Sequence, residues 1–133
     1  MSGRLEPIRW INVHYPAYAA ALSDDGQLAA VGSEQGVSIF DVTGRRLLSY
    51  PEGAAVPVHQ LAAPGEWDQL YVASRSGRLV RVALERRDLM EGEKDEGGTF
   101  RFHPHPTLLY HSENDIHSLS LSGDGRLLAV GHL

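Results

Sequence analysis

Ala21-Leu-Ser-Asp-Asp-Gly-Gln-Leu-Ala-Ala-Val-Gly-Ser33 decides the fold, because the chain writes it twice. Near the C-terminus it returns as Ser120-Leu-Ser-Gly-Asp-Gly-Arg-Leu-Leu-Ala-Val-Gly-His132. With the sequence displaced by 99 positions, 8 of the 11 residues from Leu22 to Gly32 match those from Leu121 to Gly131. Each copy is the apolar end of one strand, a Ser-x-Asp-Gly turn, and a second apolar strand closed by glycine. Asp-Gly between apolar runs signals a hairpin, since glycine accepts the positive φ that a tight turn demands. Repetition at a fixed spacing marks an array of similar units, so the chain reads as a repeat protein.

Four short strands in meander follow from Tyr18 to Tyr50. Their turns fall at Asp24-Asp25-Gly26, Glu34-Gln35-Gly36 and Thr43-Gly44. Strands this short, joined this tightly, pair antiparallel. Leu28, Ala29, Ala30 and Val31 are apolar in succession, which predicts a strand covered on both faces. A second unit spans residues 56–110, with turns at Pro64-Gly65-Glu66 and Arg75-Ser76-Gly77. Its fourth strand runs from Phe100 to Tyr110 and is expected to be irregular at His103-Pro104-His105-Pro106. Residues 85–99 read as an inserted acidic loop, solvated and without an apolar anchor after Met90. Half a unit spans 115–133. Ahead of all three, Pro7 to Val13 is strand-like. The fold class expected is all-β, built of four-stranded antiparallel meanders.

Composition bounds the function. The chain has 133 residues, 42% hydrophobic and 22% charged, which suits one ordinary globular domain. Cysteine is absent, excluding disulfides and thiolate chemistry and fitting a cytoplasmic setting. A net charge of −5 argues against nucleic acid or an anionic membrane as partner. No signal peptide and no stretch of membrane-spanning length is evident.

Repeated four-stranded units of this kind resemble blades of the WD-repeat β-propeller family. Thr107 to Gly131 is similar to its Gly-His, strand, Ser-Pro-Asp-Gly, strand pattern, with His111 in the His position and Tyr110 in place of the Gly. Phe40-Asp41 falls at the family's Trp-Asp dipeptide. The repeat-motif residues implied are Ser23, Asp25, Gly26, Gly32, Phe40, Asp41, His111, Ser122, Asp124, Gly125 and Gly131. The family's tetrad of His, Ser, Asp and Trp is expected to be incomplete. In the first blade Ser33 fits, but Glu34-Gln35 replace the Asp, and Phe40 lacks an indole donor. From the strand count the chain is expected to be the leading part of a longer propeller, the alternative being that copies associate to close a ring.

Chemistry-bearing residues are few. His103-x-His105, with His111 and His117, is the best metal candidate, but no carboxylate lies at ligand spacing in the sequence. Asp115, His117, Ser118 and Ser120 offer nucleophile and base types. Ser118, Ser120 and Ser122 alternate as a small-residue face expected to pack on a neighbouring blade. Arg75, Arg78, Arg81, Arg86 and Arg87 change faces along their strand and form no continuous patch. No catalytic, cofactor or metal residue is therefore assigned. The resemblance implies a non-catalytic scaffold for protein partners, with further blades or self-association completing the fold. The alternatives are a propeller enzyme or His-based metal-binding propeller, and a purely structural segment of a larger assembly.

Overall fold

Each glycine-bearing turn sends the chain back along itself, and three sheets result. The computed structural model describes residues 16–50, 57–64, 67–74, 76–89 and 100–132. Sheet one holds β1 (Ala17–Leu22), β2 (Leu28–Ser33), β3 (Gly36–Asp41) and β4 (Arg46–Tyr50) in that order. Sheet two holds β5 (Val58–Ala62), β6 (Gln69–Ser74), β7 (Arg78–Asp88) and β8 (Phe100–His111). Sheet three is the pair β9 (Ile116–Leu121) and β10 (Leu128–His132). Every pairing is antiparallel between sequence neighbours. Among the described residues there is no helix. The strand-like Pro7 to Val13 lies outside them.

Sheet two is the middle of the stack, with β5 touching both β1 and β9. Its interface with sheet one carries most of the core. Ala30, Val37, Ile39, Leu47 and Leu48 meet Val58, Leu61, Leu70, Val72, Val80 and Val82 there, all of them buried. Each of the Val, Leu and Ile side chains among them contributes about 1.5–3 kcal/mol relative to exposure. A smaller cluster of Ala73, Leu79 and Ile116 joins sheet two to sheet three. The strand covered on both faces is β3, buried from Gly36 to Phe40, rather than β2, where Leu28, Ala29 and Val31 keep partial exposure. Both are interior strands of the sheet, but only in β3 are both sides covered, Val37 and Ile39 on one and Ser38 and Phe40 on the other.

All three first strands carry the same irregularity. The register slips between Ala17 and Ala19, between Val58 and Gln60, and at Ile116–Ser118 opposite Gly131/His132. Tyr18, His59 and His117 are the extra residues. A bulge leaves one residue unpaired and re-aims its side chain. The first two bulges lie 41 positions apart and the first and third 99 apart. Sheet two is therefore a true copy of the repeat, lengthened toward its end.

That lengthening is a hairpin arm. Instead of giving way to a loop at Glu85, β7 continues through Glu85, Arg86, Arg87 and Asp88, paired with β8 back to Phe100. Phe100 and Phe102 lie edge to face, 5.5 Å apart, and pack on the sheet-one core. The Arg86 guanidinium sits 3.7 Å over the Phe100 ring, and Arg45 Nη2 donates to the Phe100 carbonyl at 3.5 Å. The expected irregularity at His103-Pro104-His105-Pro106 is absent. Pairing is unbroken from Val80↔Leu108 to Asp88↔Phe100, and the slip sits at Leu79/Val80. Pro104 and Pro106 fit because β8 is an edge strand and their donor-less nitrogens take the outward positions. Glu91 to Thr99 lie outside the described residues.

Gly32 and Gly131 occupy equivalent places for different reasons. A Cβ on Gly32 would overlap Val58 Cγ1 and lie 3.1 Å from Val58 Cβ, across the sheet-one to sheet-two interface. A Cβ on Gly131 would overlap only the Ser118 hydroxyl, the end of a side chain that can rotate. We expect Gly32→Ala to cost about 1–3 kcal/mol, the usual range for an overpacked core, and Gly131→Ala clearly less. Chemical denaturation of the two variants checks the order; equal losses would contradict it.

Candidate functional site

The repeated turn is also a repeated hydrogen-bond clamp. In the first copy the Ser23 hydroxyl donates to Asp25 Oδ1 at 2.6 Å, and Gln27 N donates to the same oxygen at 2.9 Å. Leu28 N donates to Ser23 Oγ at 2.9 Å, and Gly26 N donates to the Ser23 carbonyl at 3.0 Å. In the second copy Ser122 Oγ donates to Asp124 Oδ1 at 2.6 Å, Arg126 N to that oxygen at 3.1 Å, and Leu127 N to Ser122 Oγ at 3.0 Å. Gly26 and Gly125 adopt φ of 72° and 75°, the left-handed conformation that both turns need. The hydroxyl of Ser23 and the amide of Gln27 hold the Asp25 carboxyl below the usual carboxylate range. Ser122 and the Arg126 amide do the same for Asp124.

Phe40 and Asp41 serve β3 separately. Phe40 is buried, with the Arg46 guanidinium 5.5 Å from its ring centre. Asp41 Oδ1 accepts from Thr43 Oγ1 at 2.6 Å, Thr43 N at 2.9 Å and Arg45 N at 3.0 Å, closing the β3–β4 turn. Burial pushes its carboxyl up, but those bonds and the nearby Arg45 charge more than offset this, leaving it lowered. His111 ends β8 opposite Arg78 and is exposed. Ser33 is buried, accepting from Gln35 N at 3.0 Å.

Buried serines recur beyond Ser23 and Ser33, which the sequence had singled out. Ser74 pairs with the Ser76 hydroxyl at 2.7 Å and accepts from Arg78 N at 3.2 Å. Ser112 accepts from Asn114 N at 3.0 Å. Ser74 stands 41 positions after Ser33, so the unit spacing would have found it. Trp67 was also missed. It is 4% exposed at φ 56°, and its indole nitrogen is buried without a hydrogen bond. A bulky residue held there stores about 1–3 kcal/mol of strain.

The metal candidates come together only in part. The His103 and His105 rings lie 5.0 Å apart on one face, and Glu85 Oε1 is 3.5 Å from His105 Nε2. That carboxylate comes from the neighbouring strand, so sequence spacing could not reveal it. Its main partner is Arg87, whose Nε donates to Oε1 at 2.6 Å and holds the carboxyl low. Among the described residues no three His, Asp or Glu side chains are placed to hold a metal ion. Ser118 and Ser120 are exposed among the described residues, on the face of sheet three that points away from sheet two.

A depression of about 480 Å³ lies where the first turns meet. Its lining comes from Asp24 of sheet one, Pro64, Asp68 and Gln69 of sheet two, and Gly123, Asp124 and Gly125 of sheet three.

No protein-family model matches the chain, and no curated protein matches it. Among solved structures it is similar to the β-propeller domain of Cps50 (Swd1) from Myceliophteria thermophila, with a TM-score of 0.61 at 12% identity. The match covers 90% of this chain and 37% of that one, so the chain spans well under half of that structure's length. At this identity the likeness shows the fold: propeller-like sheets.

The clamps make acid sensitivity testable. Removing the Ser23 hydroxyl takes away both a donor and an acceptor, so Ser23→Ala should cost about 1 kcal/mol. A carboxyl held lower in the fold than in the unfolded chain stabilises above its ordinary value, about 3.9 for Asp. That stability is lost as pH falls through the lowered value. Melting temperature should therefore drop on acidification below about pH 4, and more shallowly in Asp25→Asn/Asp124→Asn. Acid limbs of equal slope would contradict the assignment.

Proposed function

We propose that the chain is a non-catalytic scaffold that binds protein partners, as part of a WD-repeat-like β-propeller with blades at 18–50, 56–110 and 115–133. The convergence of three equivalent first turns on one rim carries this reading. A rigid stack of sheets holds those turns in fixed relation, and loops on such a scaffold are where recognition is usually placed. The propeller fold by itself does not give function, so the reading rests on this surface. The rim presents Asp24, Asp68 and Asp124 around its depression, which suits a basic patch on the partner. The repeat-motif residues have structural roles in the proposal: Ser23–Asp25 and Ser122–Asp124 fix the turns that form the rim. A cytoplasmic location belongs to the same proposal.

Charge reversal tests it. Asp24→Lys with Asp68→Lys leaves both Ser–Asp clamps intact, so circular dichroism should be unchanged. Affinity purification should recover specific proteins with the wild-type chain and lose them with the variant. Identical recovery with both would overturn the rim assignment. Chelator treatment should leave the melting temperature within error, whereas stoichiometric metal lost in His103→Ala/His105→Ala would favour the metal-binding alternative.

A further inference from the structure

At the opposite end of the first strands from the Ser–Asp turns, the bulges leave a second opening. A cleft of about 180 Å³ lies between β5 and β9, lined by His59, Gln60, Asp115, Ile116 and His117. One wall is fixed: the His59 ring stacks on Tyr18 at 4.7 Å with 5° between planes, and Tyr18 Oη donates to Glu34 Oε1 at 2.9 Å. His59 Nε2 is buried and makes no hydrogen bond. An unpaired buried group of this kind costs about 1–3 kcal/mol and calls for an explanation. Ile116 is buried behind the cleft, while Asp115 and His117 are exposed and free to meet a ligand.

Three features narrow the ligand. Asp115 contributes the one carboxylate of the lining, against no Lys or Arg, so the cleft favours a cation. Among the described residues no three His, Asp or Glu side chains are placed to hold a metal ion, so a cation with several donor atoms suits the separate His and Asp groups better than a single ion. The volume falls below the roughly 300–1,000 Å³ of small-molecule pockets and suits a single side chain. A guanidinium meets all three demands. It is planar, presents five N–H donors in a fork, and stacks on flat rings, whereas an ammonium is a point charge needing converging acceptors.

We infer that this cleft receives an arginine side chain presented by a partner protein, between the imidazole rings of His59 and His117 and beside Asp115. The inference deepens the scaffold reading and rests on it, while using a different surface from the acidic rim.

The test titrates the full chain with three blocked tripeptides, Gly-Arg-Gly, Gly-Lys-Gly and Gly-citrulline-Gly, following the histidine ring signals by NMR. The arginine peptide should shift His59 and His117 saturably, with the lysine and citrulline peptides weaker by tenfold or more. Asp115→Asn should weaken arginine binding about tenfold, which is about 1.4 kcal/mol. Asp24→Lys/Asp68→Lys should leave it unchanged. Equal shifts from arginine and lysine peptides would overturn the guanidinium assignment, and no saturable shift would overturn the site. Neither result touches the rim, whose partner recovery is measured separately. Retained amide dispersion in Asp115→Asn separates lost binding from lost folding.

Discussion

Two sheets that cannot bury their own faces, and so bury each other's, are the constraint on which this structure depends. Ile39 and Ala30 on one side and Val58, Val72 and Val80 on the other are inaccessible only because the second sheet lies against the first. The approach is close enough that a Cβ at position 32 would overlap the Val58 side chain. The candidate surfaces are placed by that contact. The three first turns share a rim because β1, β5 and β9 are held side by side. The bulged residues adjoin one another for the same reason.

The repeated turn shows how far a sequence reading reaches when its determinants are local. Ser, Asp and Gly within a few positions specify a turn almost alone, and both copies make the same bonds to the same atoms. Strand order and antiparallel pairing were legible for that reason. The bulges were not, because an extra residue in a strand has no characteristic letter; Tyr18, His59 and His117 share a place and little chemistry. The hairpin arm was hidden differently. Leu84 to Asp88 has no polar–apolar alternation, so its composition suggests a loop. Its strand form is imposed by β8, whose Phe100, Phe102 and Pro104 supply the apolar side.

Equivalent letters also concealed unequal roles. Gly32 is required by a neighbouring sheet and Gly131 only by a hydroxyl on the adjacent strand, although both end the same motif. Ser118 and Ser120 alternate as a packing face would, and no described sheet lies on their side. Packing partners are non-local, and repetition in sequence does not guarantee repetition of surroundings. The cleft was illegible for the same reason, since His59 and His117 are separated by most of sheet two.

The prolines of β8 bear on how this molecule can associate. An outer strand usually exposes a row of backbone donors and acceptors to which another strand can add, the route to runaway sheet extension. Here the middle of that row, at Pro104 and Pro106, has no donor to offer. A strand arriving there would lose two ladder bonds in the stretch where it most needs continuity. The longest edge among the described strands is thereby poorly suited to backbone addition, which under the proposed scaffold reading leaves recognition to side chains on rims and clefts, where it can be selective.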